Sequence, residues 1–262
     1  MNQDGNDPVT PEQVARAPLR PGTLYLVATP IGNLEDITLR ALRVLKECDV
    51  IAAEDTRRTG LLLRHFGISK PILSCFKFNE SKRASEILDR LAKGQTVALV
   101  TDSGTPGISD PGQLLVRKVI EAGFRVEPIP GPCALIAAVS ACGLPTDEFH
   151  FIGFLPHKGA RRQKALERLK TIPGTLVIYE LPHRILRLFE ELAQIFPTRE
   201  IVVARELTKK FEEFQRGSAK ELLDHFLKHP PKGEFVVLIS PLADEITQIS
   251  PDSESLSDQA HV

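Results

Sequence analysis

The residues able to do chemistry gather in short glycine- and proline-rich segments, each directly after an apolar run. The longest is Thr101–Gly112, TDSGTPGISDPG. Gly104 and Gly107 carry no side chain, so a ligand can approach the backbone, while Pro106 and Pro111 fix the path of the loop. Thr101, Ser103, Thr105 and Ser109 offer hydroxyls, and Asp102 and Asp110 suit a ribose or a cation. The spacing is neither GxGxxG nor a Walker loop, so on its own it leaves a ligand loop and a plain structured turn both open. Ala28–Asn33 (ATPIGN) and Pro128–Pro132 (PIPGP) have the same character.

A second set of segments carries charge. Ala53–Arg58 (AEDTRR) puts Glu54, Asp55, Arg57 and Arg58 where a strand gives way to a helix. Asp55 or Thr56 suits the helix N-cap. Capping does not account for Arg57 and Arg58, because the helix dipole disfavours cations in a first turn, and they point to a bound anion such as phosphate. His157–Lys164 (HKGARRQK) is the one dense basic run. It reads either as a solvated helix face or as a phosphate grip by Lys158, Arg161 and Arg162. Phe149, Phe151 and Phe154 just upstream suit a strand core or base stacking. Ala204–Lys210 (ARELTKK) closes a strand with mixed charges, and Tyr179-Glu180 and His183-Arg184 flank the end of another. No Ser-His-Asp, Cys-His or metal constellation stands out. The cysteines, Cys48, Cys75, Cys133 and Cys142, lack zinc spacing and read as buried thiols in a reducing compartment.

These segments need elements to hold them. Leu24–Thr29, Val50–Ala53, Thr96–Thr101 and Arg125–Ile129 read as strands. They alternate with helical patterns at Leu39–Lys46, Thr56–Phe66, Ser81–Lys93 and Gly112–Ala122. This alternation predicts a mainly parallel sheet covered by helices. Its strand-end loops leave from one edge, where open α/β sheets bind ligands. In the second half, Phe149–Gly153, Leu176–Glu180, Ile201–Arg205, Phe211–Arg216 and Phe235–Ile239 read as strands. Helices are expected over Ala160–Lys170, Arg184–Ile195 and Ala219–Leu227.

A length of 262 residues suits two packed domains. They are expected over 22–132 and 133–241, with the chain crossing between sheets near Pro130–Gly143. Residues 1–21, and an acidic tail over 242–262 that holds no Lys or Arg, are expected to be disordered. The net charge of −1 excludes a uniformly basic nucleic-acid coat protein, so any RNA contact must come from local patches. The longest apolar stretch, Cys133–Leu144, is too short for a membrane span, and the N-terminal residues are unlike a signal peptide, so a cytoplasmic protein is expected.

The segments LYLVATPIGNLEDIT, AEDTRRT, VTDSGTPGISDPG, PIPGPCALIAAVSACGLP, FIGFLP, YELPHR, ARELTK and GEFVVLI, in this order, resemble the tetrapyrrole methylase superfamily from about Gly22 to Ser240. Within it, they resemble the group that methylates a cytidine 2′-oxygen in the decoding region of 16S rRNA. The resemblance implies an α/β fold of two domains, with a mainly parallel N-terminal sheet, a mixed C-terminal sheet and S-adenosylmethionine in the cleft between them. It implies cofactor contacts from Pro30, Asp102, Ser103, Gly104, Thr105, a turn at Ser140, Ala141 and Cys142, and from Tyr179, Ala204, Gly233, Glu234 and Phe235. It also implies a homodimer, with the small ribosomal subunit as substrate and no metal.

Methyl transfer to a ribose hydroxyl is then helped by a base or a hydrogen-bond acceptor, for which Asp55, Glu54 and Glu206 are candidates. Lys209 is expected as a charge stabiliser or, if neutral, a base. Arg57, Arg58, Lys158, Arg161 and Arg162 would hold the RNA backbone. The competing readings are a superfamily methylase acting on a corrin, a porphyrin or a protein, and a ribosome-assembly factor that transfers nothing. A nicotinamide dehydrogenase lacks its glycine fingerprint here.

Overall fold

The computed structural model describes residues 18–241. The acidic tail, and all but the last four residues of the N-terminal extension, lie outside the described residues. The described chain forms two compact units.

The first unit takes in the described residues up to Val27, Leu39–Val100 and Pro111–Ile129. Its strands are β1 (Thr23–Val27), β2 (Val50–Ala53), β3 (Ile72–Ser74), β4 (Val97–Val100) and β5 (Arg125–Ile129). They lie in the order β3-β2-β4-β1-β5, and every neighbouring pair is parallel. β2 and β4, VIAA and VALV, are buried at every position, as continuous apolar runs require when helices cover both faces. The crossovers carry α1 (Leu39–Glu47), α2 (Thr56–His65), α3 (Glu80–Ala92) and α4 (Gln113–Glu121). Ala84, Ile87 and Leu91 of α3 and Leu115 and Val119 of α4 pack on Leu24, Val50 and Leu99. β3 was not anticipated: it has three half-buried residues directly after Pro71, too few to show a period.

The second unit takes in Ala28–Thr38, Thr101–Asp110 and the described chain from Pro130. It contains α5 (Ala134–Cys142), β6 (Phe149–Phe154), α6 (Gly159–Leu169), β7 (Thr175–Glu180), α7 (Pro182–Ile195), β8 (Ile201–Arg205), β9 (Glu213–Gly217), α8 (Ala219–Lys228) and β10 (Phe235–Ile239). The sheet order is β6-β7-β10-β8-β9, with β6 and β7 parallel and the other pairs antiparallel, so the sheet is mixed.

Both of its faces are covered, and β10 shows how. Phe235, Val237 and Ile239 turn toward Ile185, Leu188, Phe189 and Leu192 of α7 and Phe226 of α8. Val236 and Leu238 turn to the opposite face, toward Leu135, Ala138 and Val139 of α5, by the two-residue period of a strand. The crossing expected near Pro130–Gly143 is therefore mostly helix. Among the described residues no helix is long and apolar enough to cross a membrane.

Candidate active site

In the second unit's sheet, β10 runs antiparallel to both β7 and β8, and Phe235 pairs with Glu180 on one side and Arg205 on the other. The carboxyl ends of β7 and β8 therefore meet the start of β10 at one end of the sheet. A pocket, partly open to solvent, lies there. Tyr179, Glu180 and Leu181 line it from β7, Leu207 and Lys209 from the segment after β8, and Glu234, Phe235 and Val236 from β10. Phe154 of β6, and Cys133 and Ala134 at the start of α5, add to it. The remaining wall is the loop segment with Ser103, Gly104, Thr105, Ile108, Ser109 and Asp110, together with Ile31. Every lining residue belongs to the second unit.

Hydrogen bonds fix the loops. Thr29 and Gly104 exchange two backbone bonds of 2.9 Å, an isolated antiparallel bridge. Thr29 Oγ1 donates to the Thr101 carbonyl at 3.2 Å, and Thr105 Oγ1 to the Pro132 carbonyl at 3.0 Å. Among the described residues, the non-glycine residues with positive φ are Ser109 (65°), Glu206 (49°) and Thr208 (65°). Ser109 lines the pocket and the other two flank Leu207. Such conformations cost about 1–3 kcal/mol each and cluster where surrounding structure enforces them, functional sites above all. Gly32 is part of that enforcement. A Cβ there would run into the Lys209 side chain and sit 2.9 Å from Thr208 Oγ1. Thr208 Oγ1 in turn accepts from the Asn33 N–H at 3.0 Å.

Lys209 is the charged centre of this wall. Its Nζ donates to Glu206 Oε1 and Glu234 Oε2, both at 2.9 Å. Glu206 Oε1 also accepts from the Glu234 N–H at 3.0 Å. Burial penalises the Lys209 charge, but the hydrogen bonds and charges of the two glutamates prevail and raise its pKa. Burial likewise opposes ionisation of Glu206, and hydrogen bonds from Lys209 and the Glu234 N–H overcome it and lower the carboxyl's pKa. Lys209 is therefore an ammonium at neutral pH, which rules out the neutral-base role. Burial, with Cys133 beside it, pushes the Tyr179 phenol up, so it stays protonated and contributes an apolar face and a donor. Phe151 and Phe154 meet its ring edge-on, at centroid separations of 4.9 and 5.7 Å.

The remaining expected residues distribute as follows. Ser103, Gly104, Thr105, Tyr179, Glu234 and Phe235 line the pocket; Pro30, Asp102, Ala204 and Gly233 do not, though each adjoins or pairs with a residue that does. Gly233 is left-handed (φ 84°), and a Cβ there would collide with Glu206. Ser140, Ala141 and Cys142 form no turn: they are the last residues of α5. The pocket meets the start of that helix, and eight residues of α-helix separate Ala134 from Cys142 by roughly 12 Å. The carbonyls of Ala141 and Cys142 accept instead from the guanidinium of Arg216, at 3.1 and 3.3 Å.

Glu54, Asp55, Arg57 and Arg58 belong to the first unit. Asp55 caps α2, its Oδ1 accepting from the Arg57 N–H at 2.8 Å. The Arg57 side chain returns to the same carboxylate, Nε at 3.1 Å and Nη2 at 2.7 Å. Those bonds hold the Asp55 carboxyl well below the usual range. The anion that Arg57 called for is thus its own cap, and the first-turn argument for bound phosphate does not extend to it.

Lys158 and Arg161 are exposed, whereas Arg162 is 1% exposed and does not belong to a surface grip. Its Nε donates to both Glu191 oxygens at 3.0 and 2.9 Å, its Nη1 donates to the Pro156 carbonyl at 3.1 Å, and Glu180 lies 3.7 Å away. Arg184 completes the cluster, pairing with Glu180 at 2.9 Å and donating to the Leu155 carbonyl at 2.7 Å. Sequence reasoning assigned Ile31, Ile108, Cys133, Ala134, Leu181, Leu207 and Val236 no site role. Their apolar types carry no chemical signal, and only their neighbours in the motifs marked the places.

A family model described as tetrapyrrole (corrin/porphyrin) methylases matches residues 23–223. The chain belongs to the tetrapyrrole methylase family. Within the family it groups with proteins named ribosomal RNA small subunit methyltransferase I. The one from Halalkalibacterium halodurans is 46% identical over 92% of this chain and 83% of its own length. The one from Xylella fastidiosa is 50% identical over 86% and 84%. Among solved structures, uroporphyrin-III C-methyltransferase from Thermus thermophilus, complexed with S-adenosyl homocysteine, superposes with a TM-score of 0.59. It is 20% identical and covers 87% of this chain and 99% of that one, a likeness of fold.

Proposed function

We propose that this tetrapyrrole methylase transfers a methyl group from S-adenosylmethionine to the 2′-hydroxyl of a cytidine in the decoding region of 16S rRNA. It would act as a homodimer on the small ribosomal subunit, in the cytoplasm. The observation that carries the reading is the pocket, where Ser103–Thr105, Tyr179 and Glu234–Phe235 converge beside Lys209. The names of the relatives support RNA as the acceptor, and the S-adenosyl homocysteine complex of the Thermus protein supports the cofactor.

The residues present fit such a group. Ile31, Ile108, Leu207 and Val236 offer an apolar wall for an adenine, and Ser103, Thr105 and Asp110 offer polar partners for a ribose. Gly104 lets the backbone approach closely, at a φ of 82°. When bound, S-adenosylmethionine supplies an electrophilic methyl carbon, so transfer to oxygen is a direct displacement that needs no metal.

The protein's part is alignment, worth on the order of 7–11 kcal/mol, together with exclusion of water. Glu206 has a lowered pKa, so it serves as a hydrogen-bond acceptor that orients a hydroxyl rather than as a strong base. Asp55, held down by its bonds to Arg57, is the other candidate acceptor. Lys209 supplies a fixed positive charge. Lys158 and Arg161, with Arg58, would hold RNA phosphates.

The test is methyl transfer from tritiated S-adenosylmethionine to unmodified small ribosomal subunits, with a porphyrin precursor as a parallel acceptor. Label in RNA supports the reading, label in the porphyrin favours the competing methylase, and label in neither supports a factor that transfers nothing.

A further inference from the structure

The first unit carries two exposed aromatic rings that the proposed reaction does not use. Between the buried residues Cys75 and Glu80, Phe76 is 37% exposed and Phe78 90%. Their rings meet edge-on, with centroids 6.4 Å apart.

The turn that carries them is held firmly. The Cys75 N–H donates to the Ala53 carbonyl at 2.7 Å. The Phe76 N–H donates to Asn79 Oδ1 at 2.8 Å, and Asn79 Nδ2 donates to the Ser74 carbonyl at 3.2 Å. Glu80 anchors the far end, its Oε1 accepting from the Gly112 and Leu115 N–H groups at 3.2 and 2.8 Å. A fixed turn that keeps a phenyl ring in water presents that ring to something.

The surrounding charge says what. Lys77 and Lys82 are exposed, and Lys118 Nζ donates to Ser81 Oγ at 3.0 Å. Of the nearby acids, Glu80 caps α4, Glu86 pairs with Arg83 and Arg90 at 2.6 and 3.3 Å, and Asp55, just past the end of the neighbouring strand, is paired with Arg57 at 2.7 Å. The charges that the turn itself exposes, Lys77 and Lys82, are positive. Protein interfaces deplete lysine around their aromatic anchors, whereas single-stranded nucleic-acid sites combine aromatic rings with cations for the phosphates.

From this we infer that the Phe76–Phe78 turn is a stacking platform for an unpaired base of the RNA substrate, with Lys77, Lys82 and Lys118 meeting the adjoining phosphates. This inference rests on the RNA reading of the proposed function.

The test is steady-state methyl transfer to unmodified small ribosomal subunits by the full chain and by its Phe78→Ala, Phe76→Ala/Phe78→Ala and Phe78→Trp variants. Loss of one stacked base corresponds to roughly a 5- to 150-fold change. The expected result is a rise of that size in KM for the subunits with Phe78→Ala and recovery with Phe78→Trp. The affinity for S-adenosylmethionine by calorimetry, the melting temperature and the slope of log affinity against log salt should all stay at wild-type values. An unchanged KM in the double variant, with active wild type, overturns the platform and leaves the RNA reading standing. A raised KM that accompanies dissociation of dimers in sedimentation assigns the rings to a protein interface and also overturns it. A wild type that methylates no RNA overturns both.

Discussion

Arg162 offers the sharpest separation of a structural from a substrate-binding role. Arg162→Met keeps the aliphatic volume and deletes the guanidinium. It removes two hydrogen bonds to Glu191 and the one to the Pro156 carbonyl, and leaves Glu180, with a fully buried side chain, without one of its two arginines. Breaking a buried ion pair by removing one partner costs about 3–5 kcal/mol. Here Glu180 keeps Arg184 and Glu191 keeps Arg187, so the lower end applies, about 3 kcal/mol. For a protein of this size that lowers Tm by roughly 6–12 °C. Arg161→Ala, one residue earlier and exposed, should leave Tm within about 2 °C and flatten the dependence of RNA affinity on salt. Calorimetry with filter binding over a salt series reads both. If Arg162→Met keeps the wild-type Tm while flattening the salt slope as Arg161→Ala does, the buried assignment is refuted.

Gly32→Ala forces the Lys209 side chain aside; methyl transfer should fall by about tenfold or more, since small misplacements at a reacting centre are costly, with secondary structure unchanged by circular dichroism. Glu206 is ionised above its lowered pKa, so its contribution to stability is present above its ordinary value of 4.5 and is lost as the pH falls through the lowered one. Lys209 is protonated below its raised pKa, so its contribution is present below 10.5 and is lost as the pH rises through the raised one. The pH–rate profile should therefore show no inflection from this pair between those limits, and one near neutrality that Lys209→Arg abolishes would contradict the assignment. Asp55→Asn can keep the α2 cap and should lower turnover while calorimetry gives unchanged S-adenosylmethionine affinity; full turnover removes Asp55 from the reaction. Asp55→Ala should in addition lower stability through the lost cap, read by denaturant titration as an earlier midpoint than that of Asp55→Asn.

The parallel first sheet was legible because VIAA and VALV are strands buried on both faces, which leaves an unmistakable apolar run. The loop after VALV was legible because glycine, proline and hydroxyl residues concentrate in TDSGTPGISDPG, where a chain must turn. α5 was not, because its buried Leu135, Ala138, Val139 and Cys142 sit among further apolar residues and no polar face marks a helical period. Arg162 was misread for a different reason. A basic run looks solvated, yet Arg162, Leu166 and Leu169 recur at helical spacing and are the buried face of α6, so Arg162 occupies an apolar stripe. That spacing was the available signal. Ile31 and Cys133 had none: long-range pairing, such as the bridge between Thr29 and Gly104, brings their segments to the pocket.

The most direct test is nucleoside mass spectrometry of 16S rRNA after incubating the purified chain with S-adenosylmethionine and unmodified small ribosomal subunits. The account predicts one new 2′-O-methylcytidine, lost when Gly104→Val, a branched residue at a φ of 82°, distorts the pocket wall. A methyl group on a base, no methylated nucleoside, or full activity of Gly104→Val would contradict it.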